Sequence, residues 1–127
     1  MIGLLQRVNE ARVDVGGETV GAIGAGLMVL VGIQRDDTQR EAERLLERLL
    51  GYRVFEDDTG RMNRSVSQTS GGLLLVPQFT LPADTRKGTR PSFTPAAAPD
   101  IATALFDYLV ERATAQHQPV QTGRFGA

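Results

Sequence analysis

Two uninterrupted apolar runs most limit how this 127-residue chain can fold. Gly26–Ile33 has the sequence GLMVLVGI, and Leu73–Val76 has the sequence LLLV. Both are far shorter than the roughly 18 apolar residues of a membrane-spanning helix. Neither shows the polar–apolar alternation of a strand with one face in water. The first run therefore predicts a strand covered on both faces, and the second predicts the centre of a core strand over Gly71–Leu81.

Glycine-punctuated segments predict further strands. Gly16-Gly17 is the two-residue signature of a tight β-hairpin, and it joins the strand-like segments Ala11–Val15 and Glu18–Ile23. Val120–Ala127 begins like a strand. Two other strands are predicted at Ile2–Val8 and Tyr52–Glu56, the second followed by a turn at Asp57–Gly60.

Two helices are predicted. The first covers Gln39–Leu50, where Thr38 and Glu41 have the spacing of a capping box and leucines recur at helical intervals. Gly51 is expected to end this helix in the left-handed conformation. The second covers Pro99–Gln116, with one stripe formed by Ile101, Leu105, Tyr108, Leu109 and Arg112.

These elements amount to six or seven strands and two helices, several of them joined by short turns. The length suits one domain, residues 1–127. The fold class predicted is α+β, with mostly antiparallel or mixed sheets packed against the helices.

Composition excludes several classes of chemistry. The chain has no cysteine and a single histidine, His117, which excludes disulfides, thiol nucleophiles and Cys/His zinc sites. His117 stands at the predicted end of the second helix, where a structural role is the favoured interpretation. The net charge of −1 argues against a general nucleic-acid binder but leaves a local basic patch possible. With no signal peptide or apolar span, we expect a cytoplasmic protein.

The end of the core strand carries a candidate site. Strand alternation puts Gln78 and Thr80 on one face, and Pro77 removes a backbone N–H beside them. Two interpretations stay open at this point: polar side chains that meet water at a sheet edge, or the wall of a pocket. A cationic loop follows, with Arg86, Lys87 and Arg90.

Several motifs in this order and spacing resemble the D-aminoacyl-tRNA deacylases, also called D-tyrosyl-tRNA deacylases. The resemblance covers essentially the whole chain. It rests on LLQRV (Leu4–Val8), GYRVFED (Gly51–Asp57), MNRSV (Met62–Val66), QFTL (Gln78–Leu81), ADTRKG (Ala83–Gly88), RPSF (Arg90–Phe93) and TGRFGA (Thr122–Ala127).

This resemblance implies an enzyme that hydrolyses the ester joining a D-amino acid to the 3′ end of tRNA, as a proofreading step. It also implies removal of glycine mischarged on tRNA for alanine, and assistance by the terminal 2′-hydroxyl of the tRNA. The expected partners are an aminoacyl-tRNA acceptor end and a second copy of the chain, because the family is homodimeric with sites at the interface. No metal, no cofactor and no membrane is implied, and the family's fold is sheets packed with helices.

The resemblance also assigns roles to residues. Thr80, Gln78 and Phe79 match the catalytic stretch, with backbone N–H groups near Phe79 and Thr80 as oxyanion donors. Phe125 matches the aromatic residue that packs on the terminal adenine, and Arg7 an arginine that supports the site. Further substrate-binding positions are Gly123, Gly126 and Pro77, and Arg86, Lys87 and Arg90 are weaker candidates for holding phosphates.

Two departures from the family pattern stand out. Pro77 occupies a position where the family usually has serine, so an altered rate is expected. The family also continues beyond the Phe-Gly-Ala motif with strands that carry a Gly-cisPro motif, which excludes L-amino acids. This chain ends at Ala127 without that motif, so the C-terminal strands are expected to be missing from its domain.

Two other functions remain as alternatives. A non-catalytic, shortened homologue would bind the tRNA 3′ end or adenine nucleotides through Phe125 without turnover. A generic antiparallel domain, with Gln78 and Thr80 merely solvated, would make no adenosine contact.

Overall fold

The computed structural model describes residues 1–78 and 96–123. Within these ranges the chain forms eight strands and three helices. In chain order they are β1 (Ile2–Val8), β2 (Ala11–Val15), β3 (Glu18–Ile23), β4 (Gly26–Gly32), α1 (Gln39–Gly51), β5 (Phe55–Glu56), β6 (Met62–Arg64), α2 (Val66–Thr69), β7 (Gly72–Pro77), α3 (Pro99–Gln116) and β8 (Val120–Thr122).

A four-stranded mixed sheet, in the order β1-β4-β7-β8, forms the centre of the described fold. β1 is antiparallel to β4, whereas β4, β7 and β8 run parallel to one another. Parallel neighbours cannot be joined by a tight hairpin and need a crossover connection. The segment containing α1 and α2 connects β4 to β7, and the segment containing α3 connects β7 to β8.

The helices cover one face of this sheet. Leu27, Val29 and Val31 of β4 point to that face together with Leu73 and Leu75 of β7, and all five are buried. Because strand side chains alternate, Met28 and Leu30 point the other way and are only half-buried. The helices contribute the rest of the core: Ala42, Leu46 and Leu49 from α1, Val66 from α2, and Ala102, Leu105, Phe106, Leu109 and Ala113 from α3.

The β2–β3 hairpin covers part of the opposite face. Its turn residues Gly16 and Gly17 have φ angles of +59° and +80°, which side-chain-bearing residues rarely adopt. Ile23 lies against Gly72, where a Cβ atom would come within 2.7 Å of it. The hairpin therefore packs on the sheet at a place where β7 has no side chain.

The fold class is confirmed as α+β with mixed and antiparallel sheets. The bounds predicted for β1, β2, β3 and α3 match those observed. The number of elements differs, because neither the short helix α2 nor the short strand β6 was predicted. Tyr52–Glu56 is a strand only at Phe55 and Glu56. No helix in the described part of the chain is long and apolar enough to cross a membrane.

Two details of the helices were predicted wrongly. Gly51 is the last residue of α1 and has no positive φ; the chain leaves the helix through an extended Tyr52, whose N–H donates to the Arg48 carbonyl. The stripe predicted on α3 is also shifted, because Ile101 is 48% exposed while Ala102, Phe106 and Ala113 are buried. The capping residue of α1 is as predicted, although the Thr38 hydroxyl accepts from the Arg40 N–H and donates to Glu41.

The close approach of β4 and β7 gives the first testable prediction. A Cβ atom added at Gly26 would overlap the backbone of Gly72, and backbone cannot move aside as a flexible side chain can. We expect Gly26→Ala to lower the free energy of unfolding by about 2–3 kcal/mol, measured by urea denaturation. Gly24→Ala is the matched control, because nothing lies within 4 Å of its added methyl. Equal stabilities of the two variants would contradict the close strand approach.

Candidate functional site

The candidate site predicted around Gln78 lies at the C-terminal end of β7. Pro77 is buried and faces Val31 in the parallel register. The next residue, Gln78, is half-buried, and its backbone N–H donates to the Val31 carbonyl at 2.8 Å. The chain is therefore held to β4 up to Gln78.

Gly123 lies beside the same strand end. Its N–H donates to the Leu75 carbonyl at 2.9 Å, which continues the β7–β8 pairing by one residue. A Cβ atom at Gly123 would be 3.4 Å from Val76, 3.5 Å from Val13 and 3.6 Å from Pro77. The structure thus brings together three of the predicted site residues, namely Pro77, Gln78 and Gly123, at one edge of the sheet.

Arg7 lies at the opposite end of the sheet. It pairs with Leu27, whereas Pro77 pairs with Val31, four residues further along β4. At about 3.3 Å per residue these positions are roughly 13 Å apart along the strands, with β4 between β1 and β7. The Arg7 guanidinium donates to the Val54 carbonyl and to Met62 Sδ, both at 3.0 Å. Within one chain the structure does not bring Arg7 to Pro77 and Gln78.

The other predicted site residues lie outside the described residues, and their roles stay predictions. They are Phe79, Thr80, Arg86, Lys87, Arg90, Phe125 and Gly126.

A buried ion pair lies near the end of the sheet that carries Gln78, and it was not predicted from the sequence. The Met1 ammonium group donates to Asp37 Oδ1 at 2.7 Å, and the two side chains are 1% and 6% exposed. It also donates to Gln34 Oε1 at 3.1 Å. Ile2 faces Gly32 at the end of β4, so this pair ties the start of β1 to the segment before α1. No local pattern could have revealed it, because 36 residues separate the partners.

The single histidine has a structural place in the fold. His117 caps the C-terminus of α3 and is 8% exposed. Its Nε2 lies 2.6 Å from the Gly71 carbonyl oxygen, which can only accept, so Nε2 carries the proton. Gly71 precedes β7, so His117 lies at the end of that strand opposite to Gln78.

The carboxylates predicted to form a turn do so. The Thr59 hydroxyl donates to Asp57 at 2.6 Å, and the Thr59 and Arg61 backbone N–H groups donate to the same oxygen. These hydrogen bonds lower the pKa of Asp57 to about 2, with the Thr59 hydroxyl as the largest cause. Among residues 1–78 and 96–123 there is no cluster of three or more histidine or acidic side chains that could hold a metal ion.

Comparison with known proteins gives consistent matches over the chain. A family model described as D-Tyr-tRNA(Tyr) deacylase matches residues 4–127. A D-aminoacyl-tRNA deacylase of Thioalkalivibrio sulfidiphilus (strain HL-EbGR7) is 68% identical over 127 residues, which is all of this chain and 85% of the relative. A D-aminoacyl-tRNA deacylase of Paracidovorax citrulli (strain AAC00-1) is 65% identical, with all of this chain and 82% of the relative covered.

A solved structure is also similar. A protein described as c-Myc DNA Unwinding Element Binding Protein superposes with a TM-score of 0.92 at 38% identity, covering 98% of this chain and 85% of that one.

The contacts of Arg7 give a second prediction. We expect Arg7→Met to lower the free energy of unfolding by about 1 kcal/mol, because it removes one hydrogen bond to a carbonyl at an exposed position. Arg12→Met is the control and should cost less, since within the described ranges Arg12 pairs only with the exposed Asp14, at 3.1 Å. Urea denaturation measures both variants. Equal destabilisation of the two variants would mean that Arg7 does not hold β1 to the segment around Val54.

Proposed function

The chain belongs to the D-Tyr-tRNA(Tyr) deacylase family, and we propose that it acts by hydrolysing the ester bond between a D-amino acid and the 3′ end of tRNA. The family model matching residues 4–127 carries this conclusion, supported by relatives 65–68% identical over the whole chain. The protein is a D-aminoacyl-tRNA deacylase, hence a hydrolase and a proofreading enzyme. Its substrate is aminoacyl-tRNA.

The proposed chemistry is ester hydrolysis with positioned main-chain donors. Water adds to the ester carbonyl carbon, and the bond from that carbon to the ribose oxygen then breaks. The ribose oxygen takes a proton, so that free D-amino acid and uncharged tRNA leave. Negative charge on the carbonyl oxygen needs hydrogen-bond donors that are already in place. Pro77 has no N–H and that of Gln78 is used by Val31, so main-chain donors from this segment begin at Phe79 and Thr80.

We propose that no side chain of the protein acts as the general base. The chain's single histidine, His117, hydrogen-bonds Gly71 at the other end of β7. The 2′-hydroxyl of the terminal ribose is adjacent to the ester and assists the attack. The protein then contributes orientation, which is worth several kcal/mol of the barrier when the reacting atoms are well placed.

Binding of the terminal adenosine is assigned to the end of the chain. Phe125 stacks on the adenine, a contact worth about 1–3 kcal/mol, and Gly126 and Gly123 let the backbone come close to the nucleoside. What supports this assignment is the position of Gly123. Its N–H donates to the Leu75 carbonyl, and a Cβ atom there would lie within 3.6 Å of Val76 and Pro77, so the chain enters residues 124–127 from a point beside the end of β7.

We propose a homodimer with sites at the subunit interface. The separation of Arg7 from Pro77 supports it, because in one chain Arg7 is roughly 13 Å away along the strands and across β4. A site that uses both residues therefore calls for a second copy.

We also propose that the enzyme hydrolyses glycyl-tRNA mischarged on tRNA for alanine and that it acts without a metal. We place it in the cytoplasm, where aminoacyl-tRNA is consumed.

Hydrolysis of matched D-tyrosyl-tRNA and L-tyrosyl-tRNA tests the proposal. We expect the D ester to be cleaved well above its spontaneous rate and the L ester to be cleaved more slowly. Release of labelled tyrosine over time measures both reactions. Binding of either substrate without cleavage would favour the non-catalytic alternative, and equal rates would remove the preference for D-amino acids.

Thr80 gives a further prediction. We expect Thr80→Ala to slow hydrolysis of D-tyrosyl-tRNA about tenfold, the equivalent of one transition-state hydrogen bond of about 1.4 kcal/mol. Thr80→Ser keeps a hydroxyl and should recover most of the rate. Thr114→Ala is the matched control, because this exposed hydroxyl donates to the Val110 carbonyl within α3. A wild-type rate for Thr80→Ala would refute the catalytic role of this hydroxyl.

A further inference from the structure

The exposed face of α1 carries a row of three arginines. Arg40, Arg44 and Arg48 are spaced four residues apart, so they lie on one side of the helix, and all three are exposed. At a rise of 1.5 Å per residue they span about 12 Å along the axis. Like charges at this spacing destabilise a helix, so the row has an energetic cost within α1.

None of the three guanidinium groups has a hydrogen-bond or ion-pair partner among residues 1–78 and 96–123. Two of the neighbouring carboxylates, Glu41 and Glu43, are engaged elsewhere. Glu43 accepts from the Tyr108 hydroxyl at 2.8 Å and lies 3.7 Å from Arg112 of α3. Glu41 accepts from the Thr38 hydroxyl at 2.7 Å.

A surface hollow lies at the C-terminal half of the row. It has a volume of about 600 Å³ and is lined by Arg44, Glu47, Arg48, Gly51 and Tyr52. Tyr52 is 42% exposed and offers an aromatic surface and a hydroxyl. Glu47 is the acidic side chain of this hollow.

Helix α1, which carries the row, runs from one end of the sheet toward the other. α1 begins just after Asp37, which binds Met1 at the end of the sheet that carries Pro77 and Gln78. Helix α1 ends at Gly51. Three residues later, at the opposite end of the sheet, the Val54 carbonyl accepts a hydrogen bond from Arg7. The arginine row therefore starts at the edge where the ester is proposed to lie and leads away from it.

We propose that Arg40, Arg44 and Arg48 form a track for the phosphate backbone of the substrate's acceptor stem. A nucleic-acid duplex carries a phosphate charge about every 2 Å of its axis, so a track of about 12 Å faces several phosphates. The planar guanidinium group suits phosphate oxygens because it can donate two parallel hydrogen bonds. This inference rests on the proposed function for the identity of the RNA, but the row itself does not depend on catalysis.

Binding of uncharged tRNA over a series of salt concentrations tests the track. Removing one arginine–phosphate interaction should lower the slope of log affinity against log salt by about 1. For the double variant Arg44→Gln/Arg48→Gln we expect a slope lower by about 2 and affinity about tenfold or more weaker at low salt. Arg12→Gln/Arg61→Gln changes the net charge equally and should bind as the wild type does. Glu47→Gln should tighten binding, because it removes the carboxylate beside Arg44 and Arg48.

Length dependence identifies what the track holds. The wild type should bind an acceptor-stem hairpin more tightly than the 3′-terminal trinucleotide, and Arg44→Gln/Arg48→Gln should abolish that advantage. An unchanged salt slope in this variant would overturn the track, whether or not the wild type hydrolyses D-tyrosyl-tRNA. Conversely, if the wild type cleaves no ester but its tRNA binding still depends on these arginines, the track stands and the proposed function fails. Equal effects from Arg12→Gln/Arg61→Gln would also overturn it, as an effect of net charge alone.

Discussion

The parallel pairing of β4 with β7 determines the rest of the architecture. On the helix-facing side β4 buries leucine and valine side chains and β7 buries leucines, and Gly26 and Gly72 let their backbones meet at the start of the pairing. Because the strands are parallel, the connection must cross over the sheet, which carries α1 and α2 onto one face. It also brings the C-terminal ends of β4 and β7 to one edge, with the end of β8 beside them. The candidate site lies at that edge because these strand ends meet there.

The sequence predicts those elements that depend on local patterns. An apolar run predicted strand β4. Local sequence patterns also predicted the bounds of helix α3. Which side of α3 is buried could not be predicted in the same way. Apolar residues lie on much of the surface of this helix, and small side chains such as Ala102 and Ala113 carry a weak periodic signal although both are buried. Packing against neighbouring elements, rather than periodicity, decided between Ile101 and Ala102.

The sequence named the residues of the candidate site but could not give their geometry. Gln78 and Pro77 stood out because a polar pair and a proline end an apolar strand. The position of Gly123 beside the end of β7 and the distance of Arg7 from that end depend on strand order, which pairs residues far apart in the sequence. The Met1–Asp37 ion pair has the same origin. Strand order is a property of the whole sheet, so no local motif encodes these relations.

An active site that relies on main-chain donors makes particular demands on the fold. A catalytic side chain can adjust its rotamer, whereas a backbone N–H points where its strand points. Pro77 has a restricted φ, Gln78 is bonded to Val31, and Gly123 is bonded to Leu75, so the chain is fixed up to the point where the donors are proposed. A shift of β7 by one residue would turn every side chain to the other face and move those donors with it. The register set between β4 and β7 is therefore as much a requirement of the proposed chemistry as of the core.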